Sequence, residues 1–133
     1  MIRKQEIIFI VISCFLFSCG GKKPYVDCRY FWTGKFRLNS KLDTTVYIIE
    51  RNHSIQMETD SKTGKTIPVK IKWLDDCTFE LEAKKEKIDT ALAFENLVVK
   101  SEIVSGNKDY YIFESRTPGY DFLYKDTMWL LSK

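Results

Sequence analysis

The chain is poor in helix-favouring alanine: only Ala83, Ala91 and Ala93 occur in 133 residues. Aromatics make up 14% of it, and aromatic side chains favour strands, so the balance tilts towards an all-β fold. Histidine occurs once, at His53, in a stretch with hairpin character and with no cysteine or carboxylate at ligand spacing. A metal site or an imidazole-based triad therefore lacks its parts, and a solvated turn residue is the simpler reading. Charge of one sign is also missing. The 21 basic and 18 acidic residues give a formal net charge of +3 with interspersed signs, which leaves no footprint for nucleic acid. The apolar run Ile7 to Phe17 has 11 residues, short of the ~20 that a helix needs to cross a bilayer.

That short run follows Met1-Ile2-Arg3-Lys4, and together they fit the basic and apolar regions of a secretory signal peptide. Leu16-Phe17-Ser18-Cys19 then resembles a bacterial lipobox, in which the cysteine is acylated and becomes the first mature residue. An ordinary cleaved signal and an uncleaved anchor are the alternatives. Acylation of Cys19 would hold the protein at a membrane without a spanning helix, since each buried CH₂ contributes ~0.8 kcal/mol. Gly20, Gly21, Lys22, Lys23 and Pro24 read as a flexible, weakly basic tether. By resemblance to lipoprotein sorting rules, Gly20 in place of Asp implies the outer membrane, facing the periplasm.

Loss of residues 1–18 leaves 115 residues, enough for one domain, and lowers the formal charge to +2 as Arg3, Lys4 and Glu6 leave. Cys14 departs with the signal and Cys19 is assigned to lipid. Cys28 and Cys77 remain as an even pair in an oxidising compartment, which predicts a disulfide. Closing a loop of about 50 residues stabilises the fold by ~4 kcal/mol in the chain-entropy treatment. Two separate buried thiols are the alternative.

Along the mature chain, strands are expected at 30–38, with Gly34 at a bulge or close approach, and at 46–50, 55–59 and 65–74. In the third, Ile55, Met57 and Thr59 are expected on the buried face and Gln56 and Glu58 on the wet one. In the fourth, Ile67, Val69, Ile71 and Trp73 face one way and Lys70 and Lys72 the other, while Pro68 suggests an edge or a bend. Asp75-Asp76 turns the chain, after which Cys77, Phe79, Leu81 and Ala83 continue the inward phase. Residues 84–94 read as a charged connection with a helical turn. Further strands are expected at 97–104, 109–115, 120–124 and 128–131, with a turn near Lys125-Asp126.

Cys28, Phe31, Thr33-Gly34-Lys35-Phe36, Ser54-Ile55-Gln56, Thr63-Gly64 and the run Ile71 to Leu81 resemble a family of small Bacteroidetes lipoproteins. The resemblance is best over residues 28–81. Some members are labelled DNA topoisomerase IV, but this chain carries no ATPase motif and no nuclease-like carboxylate set. The resemblance implies a compartment and a lipocalin-like β plan, without a mechanism. Trp32-Thr33-Gly34 is not the Gly-x-Trp order of lipocalins.

Other motifs reduce to simpler readings. Thr63-Gly64-Lys65-Thr66 echoes a phosphate-binding loop, but position 59 is Thr and a strand follows. Asp75-Asp76 offers too few oxygens for calcium, and Glu80 and Glu82 belong to a solvated face rather than to a glycosidase pair. Asp43-Thr44-Thr45, Asp89-Thr90-Ala91 and Asp126-Thr127-Met128 match a three-residue acceptor pattern for O-glycans in exported Bacteroidetes proteins, at Thr44, Thr90 and Thr127. All three are expected at turns or connections. The late aromatics Tyr110, Tyr111, Phe113, Tyr120, Phe122, Tyr124 and Trp129 either fill a core, line a cavity or form an interaction surface.

The expectation is thus a signal peptide over 1–18, a lipidated tether over 19–27, and one β domain over 28–133. That domain is a small antiparallel meander closed as a lipocalin-like barrel of about eight strands, with a β-sandwich as the alternative. No cofactor, metal or catalytic residue is assigned. The expected partners are a membrane, through the lipid on Cys19, and either a small lipophilic ligand or an envelope protein. Nucleic acid is not among them.

Overall fold

The computed structural model describes residues 26–83 and 97–133. The signal, the lipidation site Cys19, most of the tether, and Thr90 with its helical turn lie outside the described residues.

A short 3-10 turn, Cys28–Phe31, opens the described chain. Eight strands follow: β1 Gly34–Asn39, β2 Val46–Arg51, β3 Ile55–Asp60, β4 Thr66–Trp73, β5 Thr78–Ala83, β6 Leu97–Gly106, β7 Tyr110–Arg116 and β8 Leu123–Ser132. Each pairs antiparallel with the next, and β8 returns to β1 through Phe36↔Leu130 and Leu38↔Met128, so the sheet closes as a barrel. Full closure removes the sheet edges and excludes the sandwich. The plan is the expected lipocalin-like meander.

Closure needs one backbone to come very near another. At Gly34 (φ +138°) an added Cβ would lie 2.9 Å from the Ser132 carbonyl oxygen, and the β1–β8 register shifts one residue later. Only glycine fits there, as the sequence had suggested.

Four of the expected elements are corrected. Residues 30–33 are not strand, because Cys28 and Phe31 are three apart and share one face of the 3-10 turn. Both are buried, and the turn plugs one end of the barrel. In β3 the faces are reversed: Gln56 is buried and Ile55 is 37% exposed. Directly paired residues share a face. The inward Ile49 and Arg51 of β2 stand opposite Glu58 and Gln56, so the neighbour sets the phase of β3 against its own hydrophobicity. Pro68 is not on an edge strand. It pairs with Met57 of β3 inside the closed barrel, which has no edge strand. The turn near Lys125-Asp126 does not form, because β8 runs unbroken and Asp126 is buried in it.

The core is asymmetric along the barrel axis. Phe31, Phe36, Ile71, Phe79, Ile103 and Tyr111 are buried together towards the end where β1 begins and β8 finishes. Cys28 and Cys77 are joined there by a disulfide, with Cα atoms 5.1 Å apart. The Asp75 carboxylate accepts from the Cys77 and Thr78 amides and shapes the turn that carries the bridge. Asp76 takes Arg29 Nε at 2.9 Å, and its carbonyl accepts from Trp32 Nε1. Trp32 stacks on Trp73 at 5.0 Å. Lys133 Nζ donates to the Tyr30 and Thr33 carbonyls, so the last residue also fastens to the plug. This is the closed end.

Candidate functional site

Above the plug the barrel is hollow. A cavity of about 240 Å³ lies between the filled closed end and the opposite rim. Its walls come from every strand: Leu38, Ile49, Ile67, Val69, Leu81 and Val99 give it an aliphatic lining, with Phe113 and Met128 on the far side. The alternation expected for β4 and β5 holds and supplies much of that wall.

The floor is polar, and it was not foreseen. Arg51, the last residue of β2, turns inward and is 5% exposed. Its Nε donates to Gln56 Oε1 at 2.8 Å, Nη1 to the Phe31 carbonyl at 3.0 Å, and Nη2 to Tyr111 Oη at 2.8 Å. The rings of Phe36, Phe79, Tyr111 and Trp73 surround the guanidinium with centroids 5.0–5.9 Å away. Gln56 Nε2 passes the chain of bonds to Glu58 Oε1 at 2.7 Å. Burial pushes the Glu58 carboxyl above its ordinary range, against the opposing pull of Gln56 and Arg51. Burial also raises the Tyr111 phenol, which stays protonated at neutral pH. On the β6–β7 wall the Ser101 and Ser115 hydroxyls meet at 2.6 Å, so that buried polar pair satisfies itself.

The other end is the mouth. Here Asp126 accepts from the Tyr124 hydroxyl and from the Lys41 and Thr127 amides, tying the β1–β2 loop to β8. Burial and the Asp126 carboxylate push the Tyr124 phenol up to about 12. Around this rim Leu97, Tyr120, Phe122 and Leu123 are exposed apolar residues, Tyr120 and Phe122 by 60% and 57%. Leu97 belongs both to the rim and to the cavity lining, so the two apolar surfaces are continuous.

The late aromatics thus divide among three roles. Tyr111 and Phe113 are core and cavity wall, and Tyr124 closes the rim. Tyr120 and Phe122 stand in solvent, and Tyr110 and Trp129 pair on the outside at 5.0 Å. Of the glycan candidates, Thr44 is exposed in the β1–β2 loop. Thr127 sits within β8, not at a turn, and is half-buried. His53 is exposed in the β2–β3 loop with Trp32 edge-on at 6.3 Å. Among the described residues no three His, Cys, Asp or Glu side chains gather as a metal site.

Arg51 escaped the sequence reading as part of a hairpin turn, and Gln56 and Glu58 because Ile55 and Met57 claim the buried face of their strand by hydrophobicity. One signal could have found them. Ile49 faces inward, so Arg51 two residues on must as well, and a tight hairpin puts Gln56 opposite it. No protein-family model matches the chain, and neither a curated protein nor a solved structure does.

Proposed function

We propose that the protein is a non-catalytic binding lipoprotein that holds a small lipophilic molecule inside its barrel. The observation that carries this reading is the apolar-walled cavity of about 240 Å³, continuous with an apolar rim at the mouth. Small-molecule sites are typically concave and mostly apolar, with a few placed polar groups. The lipobox-like Leu16-Phe17-Ser18-Cys19 supports acylation of Cys19 and anchorage at the outer membrane, facing the periplasm. The resemblance of residues 28–81 to small Bacteroidetes lipoproteins supports the same compartment.

A second reading is a protein-interaction subunit of an envelope complex. The exposed Tyr120, Phe122, Leu123 and Leu97 favour it, since clustered apolar surface often marks a contact site. The test is native mass spectrometry of the chain carrying Cys19→Ser, isolated from an oxidising periplasm, with solvent extraction of what it releases. A reproducible co-purifying small molecule supports the binding reading. A barrel that is empty, and that takes up no apolar probe, transfers the weight to the interaction reading.

A further inference from the structure

We infer that the cavity floor is a carboxylate site, so that the molecule held is a small amphipathic acid with its head on Arg51 and its tail along the aliphatic walls. This rests on the binding reading above and adds the chemistry of the head group.

Arg51 is the one buried cation among the described residues. A guanidinium has five N–H donors. Three are used, and every acceptor is neutral: an amide oxygen, a peptide carbonyl and a phenol. Two donors are left without an acceptor among the described residues. Buried charges are normally paired, because removal from water costs several kcal/mol per ion. The aromatic rings around Arg51 soften that cost without supplying a negative charge. The nearest interior carboxyl, Glu58, is reached only through the Gln56 amide. The charge of Arg51 is therefore uncompensated at direct range, and Arg51 lines the cavity.

The Tyr111 hydroxyl accepts from Arg51 and donates to none of the described residues, which leaves its proton available beside the guanidinium. Arg51 and Tyr111 together match a singly charged, planar head with two acceptor oxygens. One guanidinium and one phenol are too few for a phosphate dianion. At ~30 Å³ for each water-sized volume the cavity holds about eight non-hydrogen atoms. That suits a medium-length chain, with any longer tail emerging past Leu97. Glu58 stands beside the head site, and burial disfavours its charged form, which eases repulsion of an incoming carboxylate.

The experiment is calorimetric titration of the full chain carrying Cys19→Ser with octanoate, octanol and octylamine, which share one tail. Octanoate is expected to bind at least about ten-fold tighter than octanol, and octylamine most weakly. The Arg51 Nε and Nη resonances should shift with octanoate and hold still with octanol. Arg51→Met should retain octanol and lose the preference for octanoate, and Glu58→Gln should bind octanoate as tightly or tighter. The resonance experiment uses the native floor, so it decides even if Arg51→Met does not fold. Equal affinity for octanoate and octanol overturns the head-group assignment and leaves the cavity reading standing. Tighter binding of octylamine also overturns it, and points to Glu58 instead. If none of the three binds, both readings fall together.

Discussion

The closed end and the mouth are built from the same hairpins, yet they follow opposite rules. At the closed end Phe31, Phe36, Phe79 and Tyr111 cross the barrel axis, a disulfide locks the plug, and the terminal Lys133 ties down its backbone. At the mouth none of the described residues forms a comparable plug, and Tyr120 and Phe122 are exposed. Cohesion is concentrated at one end, and the most exposed apolar side chains among the described residues, Leu42, Tyr120 and Phe122, lie at the other. A small barrel can afford a cavity when packing and crosslinking are confined to one half of it.

The contrast can be broken most severely at the plug. Phe31→Ala should cost about 3–5 kcal/mol, measured by urea unfolding, because a fully buried ring leaves a void under Phe36 and Tyr111. A loss below ~1 kcal/mol would mean that the plug is dispensable. Joint Cys28→Ser and Cys77→Ser should cost ~4 kcal/mol by freeing a 49-residue separation in the unfolded chain, with no change in cavity occupancy. Hydrogen exchange should rise first around Trp32 and Trp73, not at the rim.

Glu58→Gln should act in the other direction and raise the urea midpoint at neutral pH. Burial lifts the folded-state pKa of Glu58 above its ordinary 4.5, so between those two values the folded chain keeps a proton that the unfolded chain releases. Its contribution is fully favourable below that value and is lost as pH rises through the folded pKa. The advantage of the variant should therefore vanish in acid, and a difference independent of pH would contradict the assignment.

The smallest effect on stability is expected at the mouth. Tyr120→Ser combined with Phe122→Ser should change it by no more than ~0.5 kcal/mol, because neither ring is buried. The same pair should weaken uptake of apolar probes if the rim guides entry. A large loss of stability would instead show that the rim belongs to the core.

Legibility in the sequence follows the same division. β4 and β5 alternate cleanly, so their inward faces, the Asp75 turn and the Cys28–Cys77 link can be read from residue types and compartment logic alone. The polar floor cannot be read that way. A strand carrying Gln56 and Glu58 inward contradicts the rule that apolar residues face the core, and only pairing with β2 resolves it. The 3-10 plug was hidden for a related reason: its aromatic residues favour strands locally, and the need to cover the barrel's end overrides them. The unbroken β8 hid behind Lys125-Asp126, which reads as a turn until Asp126 is seen to anchor the loop before β2.

The chain enters and leaves the barrel at its sealed end, since Val26 precedes the plug and Lys133 grips it. Under the proposed acylation of Cys19, the seven-residue step to Val26 reaches at most about 25 Å, roughly the length of the barrel itself. With the sealed end towards the lipid, that proposal would put the opening a full barrel length from the membrane. Only by turning over or lying on its side would it bring Tyr120 and Phe122 to the bilayer. Under the proposed binding role, posture would then choose the trading partner: another protein when the opening faces away from the lipid, the membrane when it faces towards it.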